Sequence, residues 1–231
     1  MCGIYIRSYK NINIYVNTIM TYDAIHIQRC VKEPFYLIIP NEDKFLIRHN
    51  RMYQEHTTKF IQELLNLYTP NDEAMCIVYD DIAFYPLMIS LQKFNCVFIN
   101  KSQGYNKFVD MMKDLNDVSF FNLNTRFKVN AIVKESFIPI LIVNDVIDSL
   151  NARRCLSKGY IHNIIILRTT YKDDRTIYRD LRLKNYSFYA VKENIEKIKD
   201  IHTFLKEDAT TNIYARSYNS KYSAEFTVFF D

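Results

Sequence analysis

Four short, nearly unbroken apolar runs, Met75–Tyr79, Cys96–Ile99, Ile138–Val143 and Asn163–Arg168, constrain this chain more than any other feature. A strand with one wet face alternates apolar with polar residues. A strand that is apolar throughout is covered on both faces, the situation of a parallel sheet between helical layers. The segments between the runs carry the period of helices, near Ile82–Phe94, Tyr105–Leu115, Thr125–Ser136 and Val146–Leu156, with a further strand at Val118–Asn122. This alternation predicts βαβ crossovers and a Rossmann-like α/β fold, a mostly parallel central sheet with helices on both faces.

Around that core, residues 50–169, the pattern changes. Residues 1–49 read as β-rich, with a hairpin of residues 3–9 and 12–19 about Lys10-Asn11 and strands at Phe35–Ile39 and Lys44–Arg48. A helix follows over Asn50–Tyr68, where Tyr53, Phe60, Ile61, Leu64, Leu65 and Tyr68 recur at helical spacing until Thr69-Pro70-Asn71. Residues 170–231 form a mixed α+β section. Thr176–Val191 reads as strand or mixed structure, Lys192–Lys206 as an amphipathic helix, and Asn212–Tyr218 and Ala224–Phe230 as aromatic strands. With no linker, the 231 residues are expected to form one domain, long enough to bury a core without metal or disulfide.

Glycine is the scarce residue: Gly3, Gly104 and Gly159 are the only three. Phosphate-cradling loops need glycine where the backbone takes positive φ or closes on a phosphate, so neither G-x-G-x-x-G nor G-x-x-x-x-G-K-[ST] can be written here. A βαβ scaffold without such loops leads to the expectation of a binding protein that does not catalyse. The abundance of Ile, Asn, Lys and Tyr resembles coding from an AT-rich genome, such as that of a large DNA virus, and a viral protein with a decayed enzyme fold would fit that expectation.

In open parallel sheets ligands sit beyond the carboxyl ends of the strands. Asp80 and Asp81 follow one central run and Asp145 follows another, so these three are the candidate metal ligands, for Mg²⁺ in a phosphoester or nucleotidyl enzyme, the alternative function. Asp81 and Asp145 are equally placed to cap the helices that follow. Asp80, Tyr85 and Pro86 resemble the D-x-x-S-L-Y-P metal motif of family B DNA polymerases in three residues, but no Y-G-D-T-D-S partner accompanies them. No cofactor is expected under the favoured reading. The five histidines are dispersed and no G-x-S-x-G elbow is present.

Charge is unevenly spread. Arg153, Arg154, Lys158, Arg168, Lys172, Arg175, Arg179, Arg182 and Lys184 crowd into residues 151–188, although the whole chain is only +4. Tyrosines lie among them, and Tyr178 and Tyr186 are the rings expected to stack on unpaired bases while the cations meet phosphates. The favoured partner is therefore nucleic acid or a protein, met through a basic, aromatic C-terminal third. A self-assembling structural protein is the second alternative, since aromatic rings favour buried interfaces. Five scattered cysteines without a C-x-x-C pair suit a reducing compartment. With no apolar run near 20 residues, an intracellular protein, cytoplasmic or nuclear, neither secreted nor in a membrane, is expected.

Overall fold

A computed structural model describes residues 22–27, 31–40, 55–70, 75–80, 82–100, 105–124, 138–144, 161–168, 175–208 and 210–217. The strands are β1 (Tyr22–Ile27), β2 (Phe35–Pro40), β3 (Met75–Asp80), β4 (Asn95–Asn100), β5 (Phe121–Asn124), β6 (Ile138–Asn144), β7 (Ile161–Leu167), β8 (Tyr186–Val191), β9 (Ile195–Lys197) and β10 (Ile213–Ser217). The helices are α1 (Glu55–Asn66), α2 (Phe84–Leu91), α3 (Asn106–Asn116), α4 (Arg175–Leu183) and α5 (Ile201–Glu207).

Eight strands form one sheet in the order β5-β4-β3-β6-β7-β10-β8-β9. β3 pairs in parallel with β4 and β6, β4 with β5, and β6 with β7; β10 runs antiparallel between β7 and β8, and β9 antiparallel on β8. The expected Rossmann-like, mostly parallel sheet is present, and the unbroken apolar runs show why. Along β6, Ile140 and Ile142 enter one core while Leu141 and Val143 enter the other; along β7, Ile165 and Leu167 divide in the same way from Ile164 and Ile166. One core lies under α1, α2, α3 and the β1–β2 hairpin, the other under α4 and α5.

The hairpin docks on α3 through polar anchors set in an apolar contact. Asn116 donates from Nδ2 to the Tyr36 carbonyl (2.8 Å) and accepts from the Tyr36 N–H (2.6 Å), and the Tyr105 hydroxyl donates to the Ile38 carbonyl (2.6 Å). With few glycines available, non-glycine residues take the left-handed positions that end helices: Lys93 (φ 67°) after α2, Asp117 (φ 51°) after α3 and Asn185 (φ 61°) after α4. The chain thus bends sharply without glycine.

Several sequence expectations need correction. Lys192–Lys206 is not one helix. Ile195–Lys197 adds to β8 as β9, and α5 starts only after Asp200, whose carboxylate accepts from the His202 N–H (3.0 Å) and the Thr203 hydroxyl (2.7 Å). Thr176–Val191 resolves into α4 and β8, and the strand expected at Val118–Asn122 lies at Phe121–Asn124. The hairpin of residues 3–19, the strands at 44–48 and 224–230 and the helices at 125–136 and 146–156 lie outside the described residues. Among the described residues no helix is long and apolar enough to cross a membrane.

β7 carries one titratable group with a measurable consequence. His162 is buried, and burial first, then the positive charge of Arg216, lowers its pKa from 6.5 to about 4. The imidazole stays neutral in the folded chain at pH values where the unfolded chain protonates it. Unfolding therefore takes up a proton between pH 6.5 and about 4, and stability falls as pH drops through that window. Urea unfolding at pH 7 and pH 4.5 should show a smaller acid-induced loss for His162→Gln than for the parent chain; identical losses would refute this.

Candidate active site at the carboxyl edge of the sheet

β3 is the strand from which the chain first winds one way, through β4 to β5, and then the other, through β6 to β7. A crevice opens beyond the carboxyl ends of the strands where the winding direction switches, so the ends of β3 and its neighbours are where a ligand is to be sought. Asp80 is the last residue of β3 and is buried. Its register partner is Asn100, the last residue of β4 and also buried, so the two lie side by side on one strand pair. Both alternate onto the face of Val78 and Phe98, the face under α1–α3.

An amide cluster surrounds Asn100. The Asn106 side-chain carbonyl, at the start of α3, accepts from the Nδ2 groups of Asn100 (3.3 Å) and Asn122 on β5 (3.2 Å). On the other side of Asp80 stands Tyr85, in the first turn of α2. Its hydroxyl is fully buried; burial raises its pKa first and foremost, a bond with the Thr58 side chain opposes the rise, and the charge of Asp80 adds to it. Tyr85 is thus a neutral hydroxyl at any physiological pH, within the field of Asp80.

The same edge continues across β7 and β10. Asn212, just before β10, donates from Nδ2 to the Thr57 hydroxyl (2.9 Å) and accepts from the Arg168 N–H (2.8 Å), which ties the first turn of α1 to the ends of two strands. The carboxyl edge is therefore a buried polar band laid over two apolar cores. Of the described residues along this edge, sequence reading singled out Asp80 and, as a nucleic-acid contact, Arg168. The available signal for Asn100 was its place at the end of the apolar run that follows Asp80, the carboxyl end of a strand beside the switch point.

The turn joining β3 to α2 contains no glycine. Ile82 and Phe84 sink into the core, Phe84 edge-on against Phe35 of β2 (5.3 Å between rings), and Ala83 turns with φ −81° and ψ 25°. From Ile82 to Phe84 the entry to the helix is buried, with Ala83 at negative φ and no glycine required. The edge suits a ligand bearing hydroxyls and an amine, which a carboxylate and amides can hold. Among its described residues there is no glycine to cradle a phosphate.

The other expected site residues separate into groups. Tyr178 and Tyr186 are buried, Tyr178 edge-on against Phe188 (6.0 Å) and Tyr186 donating to the Ile161 carbonyl (2.5 Å). Neither ring offers a face for stacking bases, because both pack between helix and sheet. Arg168 is also buried. Its guanidinium donates to the Asp208 carbonyl and lies over the Phe204 ring (6.0 Å). Arg179, Arg182 and Lys184 are exposed on and just after α4, which Arg175 opens. Arg153, Arg154, Lys158, Lys172, Asp81 and Asp145 lie outside the described residues. Among the described residues no three or more His, Cys, Asp or Glu side chains converge to hold a metal.

No protein-family model and no curated protein sequence matches the chain. Solved structures do. The tRNA (uracil-54, C5)-methyltransferase of Pyrococcus abyssi, in complex with S-adenosyl-L-homocysteine, superposes with a TM-score of 0.51 at 11% identity over 84% of this chain and 44% of that one. The METTL16 MTase domain gives 0.44 at 10% identity over 72% and 69%, and the precorrin-6y C5,15-methyltransferase of Geobacter metallireducens 0.45 at 11% over 69% and 88%. The chain spans less than half the length of the Pyrococcus enzyme, and the likeness establishes the fold. It also corrects the expectation of a non-enzymatic binder on a decayed scaffold, since the Pyrococcus structure that shares this fold is an enzyme, a methyltransferase. Missing phosphate loops do not by themselves imply missing catalysis, because the S-adenosyl-L-homocysteine held by the Pyrococcus enzyme has no phosphate to cradle.

Proposed function

We propose that this chain is a methyltransferase that uses S-adenosylmethionine. The observation that carries the reading is the pair Asp80 and Asn100, in register and buried at the switch point of a sheet whose fold is shared with methyltransferases. That cofactor presents ribose hydroxyls, an amine and an adenine, which carboxylates and amides bind by hydrogen bonds. When bound, it supplies an electrophilic methyl group on a sulfonium.

The chain's own residues supply position. Asp80 accepts from donors of the ligand with a charge-assisted bond, and Asn100 offers a neutral acceptor held in place by Asn106. Asp80 is itself buried, with the buried Tyr85 within its field, so its carboxylate is largely removed from bulk water, which strengthens its electrostatic hold. A neutral amide where related nucleoside sites place an acid implies a modest affinity, in the micromolar range that is about −8 kcal/mol. Isothermal titration of the full chain with S-adenosylmethionine and with S-adenosyl-L-homocysteine should show one site each, while ATP, with its phosphates, should not compete. Absence of binding to both S-adenosylmethionine and S-adenosyl-L-homocysteine up to about 1 mM would overturn the assignment.

A further inference from the structure

We propose that the outer face of α4 is a docking surface for the phosphate backbone of nucleic acid. Tyr178 and Leu181 turn the inner face of this helix into the core, while Arg179 and Arg182 stand exposed on it and Lys184 just beyond its end. Arg175 opens the same helix, and Asp180 is its one acidic residue, 3.9 Å from Arg179. An ion pair that long on a mostly exposed arginine leaves the guanidinium available to a second anion. The helix is therefore a short basic rail on one face of the sheet.

Its direction matters. β7 ends at the carboxyl edge and β8, parallel to it in the sheet, starts at the opposite edge, so α4 descends from the crevice side along the outside of the domain. From Arg175 to Arg182 the helix rises about 10 Å, room for successive phosphates of one strand. A protein-binding face would carry an apolar centre. Among the described side chains exposed on α4 only Leu183 is apolar, and it stands at the last position. The inference rests on the methyltransferase reading only for its meaning, as the class of substrate; the surface itself rests on α4.

Fluorescence anisotropy of a short mixed-sequence RNA, single-stranded and as duplex, tests it between about 50 and 200 mM salt. The full chain should bind at low salt and weaken steeply. The combined Arg179→Ala, Arg182→Ala, Lys184→Ala variant should lose affinity at least tenfold, with its salt slope reduced by about 2, because each single-strand phosphate contact contributes about 0.7. Arg179→Lys with Arg182→Lys should recover most of the binding, and S-adenosyl-L-homocysteine binding should be unchanged in all variants. Unaltered RNA affinity and slope in the alanine variant would overturn the proposal. So would a parent chain that ignores RNA and instead self-associates through α4, seen as a scattering mass that falls on substitution.

Discussion

Asn163→Leu is expected to cost about 3–5 kcal/mol, since it leaves two or three buried polar groups without partners at about 1–3 kcal/mol each. Asn163 sits inside β7, between β6 and β10, where a residue of its size would ordinarily be isoleucine like its neighbours. Its side-chain carbonyl accepts from the Tyr214 hydroxyl (2.7 Å), and its amide donates to the Tyr68 hydroxyl (2.7 Å) and the Pro139 carbonyl (2.8 Å). Leucine keeps the branching at Cγ, is somewhat larger, and removes every one of these bonds. Domains of this kind are stable by only about 5–15 kcal/mol, so the variant should unfold at a much lower urea concentration. Adding Tyr214→Phe removes one stranded hydroxyl and should return about 1–2 kcal/mol, a coupling that a double-mutant cycle reads directly. An Asn163→Leu chain within 0.5 kcal/mol of the parent, the range of ordinary surface changes, would show that the three bonds are not what fixes these strands.

The same residue shows what was readable in the chain and what was not. β3, β4, β6 and β7 were legible because burial on both faces writes an apolar residue at nearly every position, and Asn163 within such a run marked only the end of a strand. What a buried asparagine bonds to depends on Tyr68 and Tyr214, 95 and 51 residues away, and no local pattern carries that. β1 was missed because Asp23 and His26 break the apolar signal, although His26 stacks on Tyr36 across the hairpin (4.5 Å). The Ile195, Ile198, Ile201 spacing suits a helix, yet pairing with β8 won at Ile195 and the Asp200 cap started the helix five residues later. Tyr178 and Tyr186 were read as surface rings because arginines surround them in sequence. Amphipathic α4 turns the tyrosine in and the arginines out.

Glycine scarcity misled for a related reason. It speaks only against a glycine-built phosphate cradle, and the turn after β3, where Ala83 stands at negative φ, contains no glycine at all. Under the proposed function the ligand is held by Asp80, and Asp80→Ala is expected to weaken S-adenosyl-L-homocysteine binding about ten- to a hundredfold, the worth of a hydrogen bond to a charged group at about 1.5–3 kcal/mol. Asp80→Asn, which keeps shape and hydrogen-bonding reach but not charge, should fall between the parent and the alanine variant. Conversely Asn100→Asp, which on the proposed reading turns a second carboxylate toward the ligand's hydroxyls, should tighten binding several-fold. The ordering Ala weakest, then Asn, then parent, measured by titration calorimetry on folded variants with unchanged circular dichroism, is the signature of a ligand-holding carboxylate. Equal affinities across the three would mean that Asp80 serves only to seat Tyr85 and α2, and that the ligand, if any, lies elsewhere along the edge.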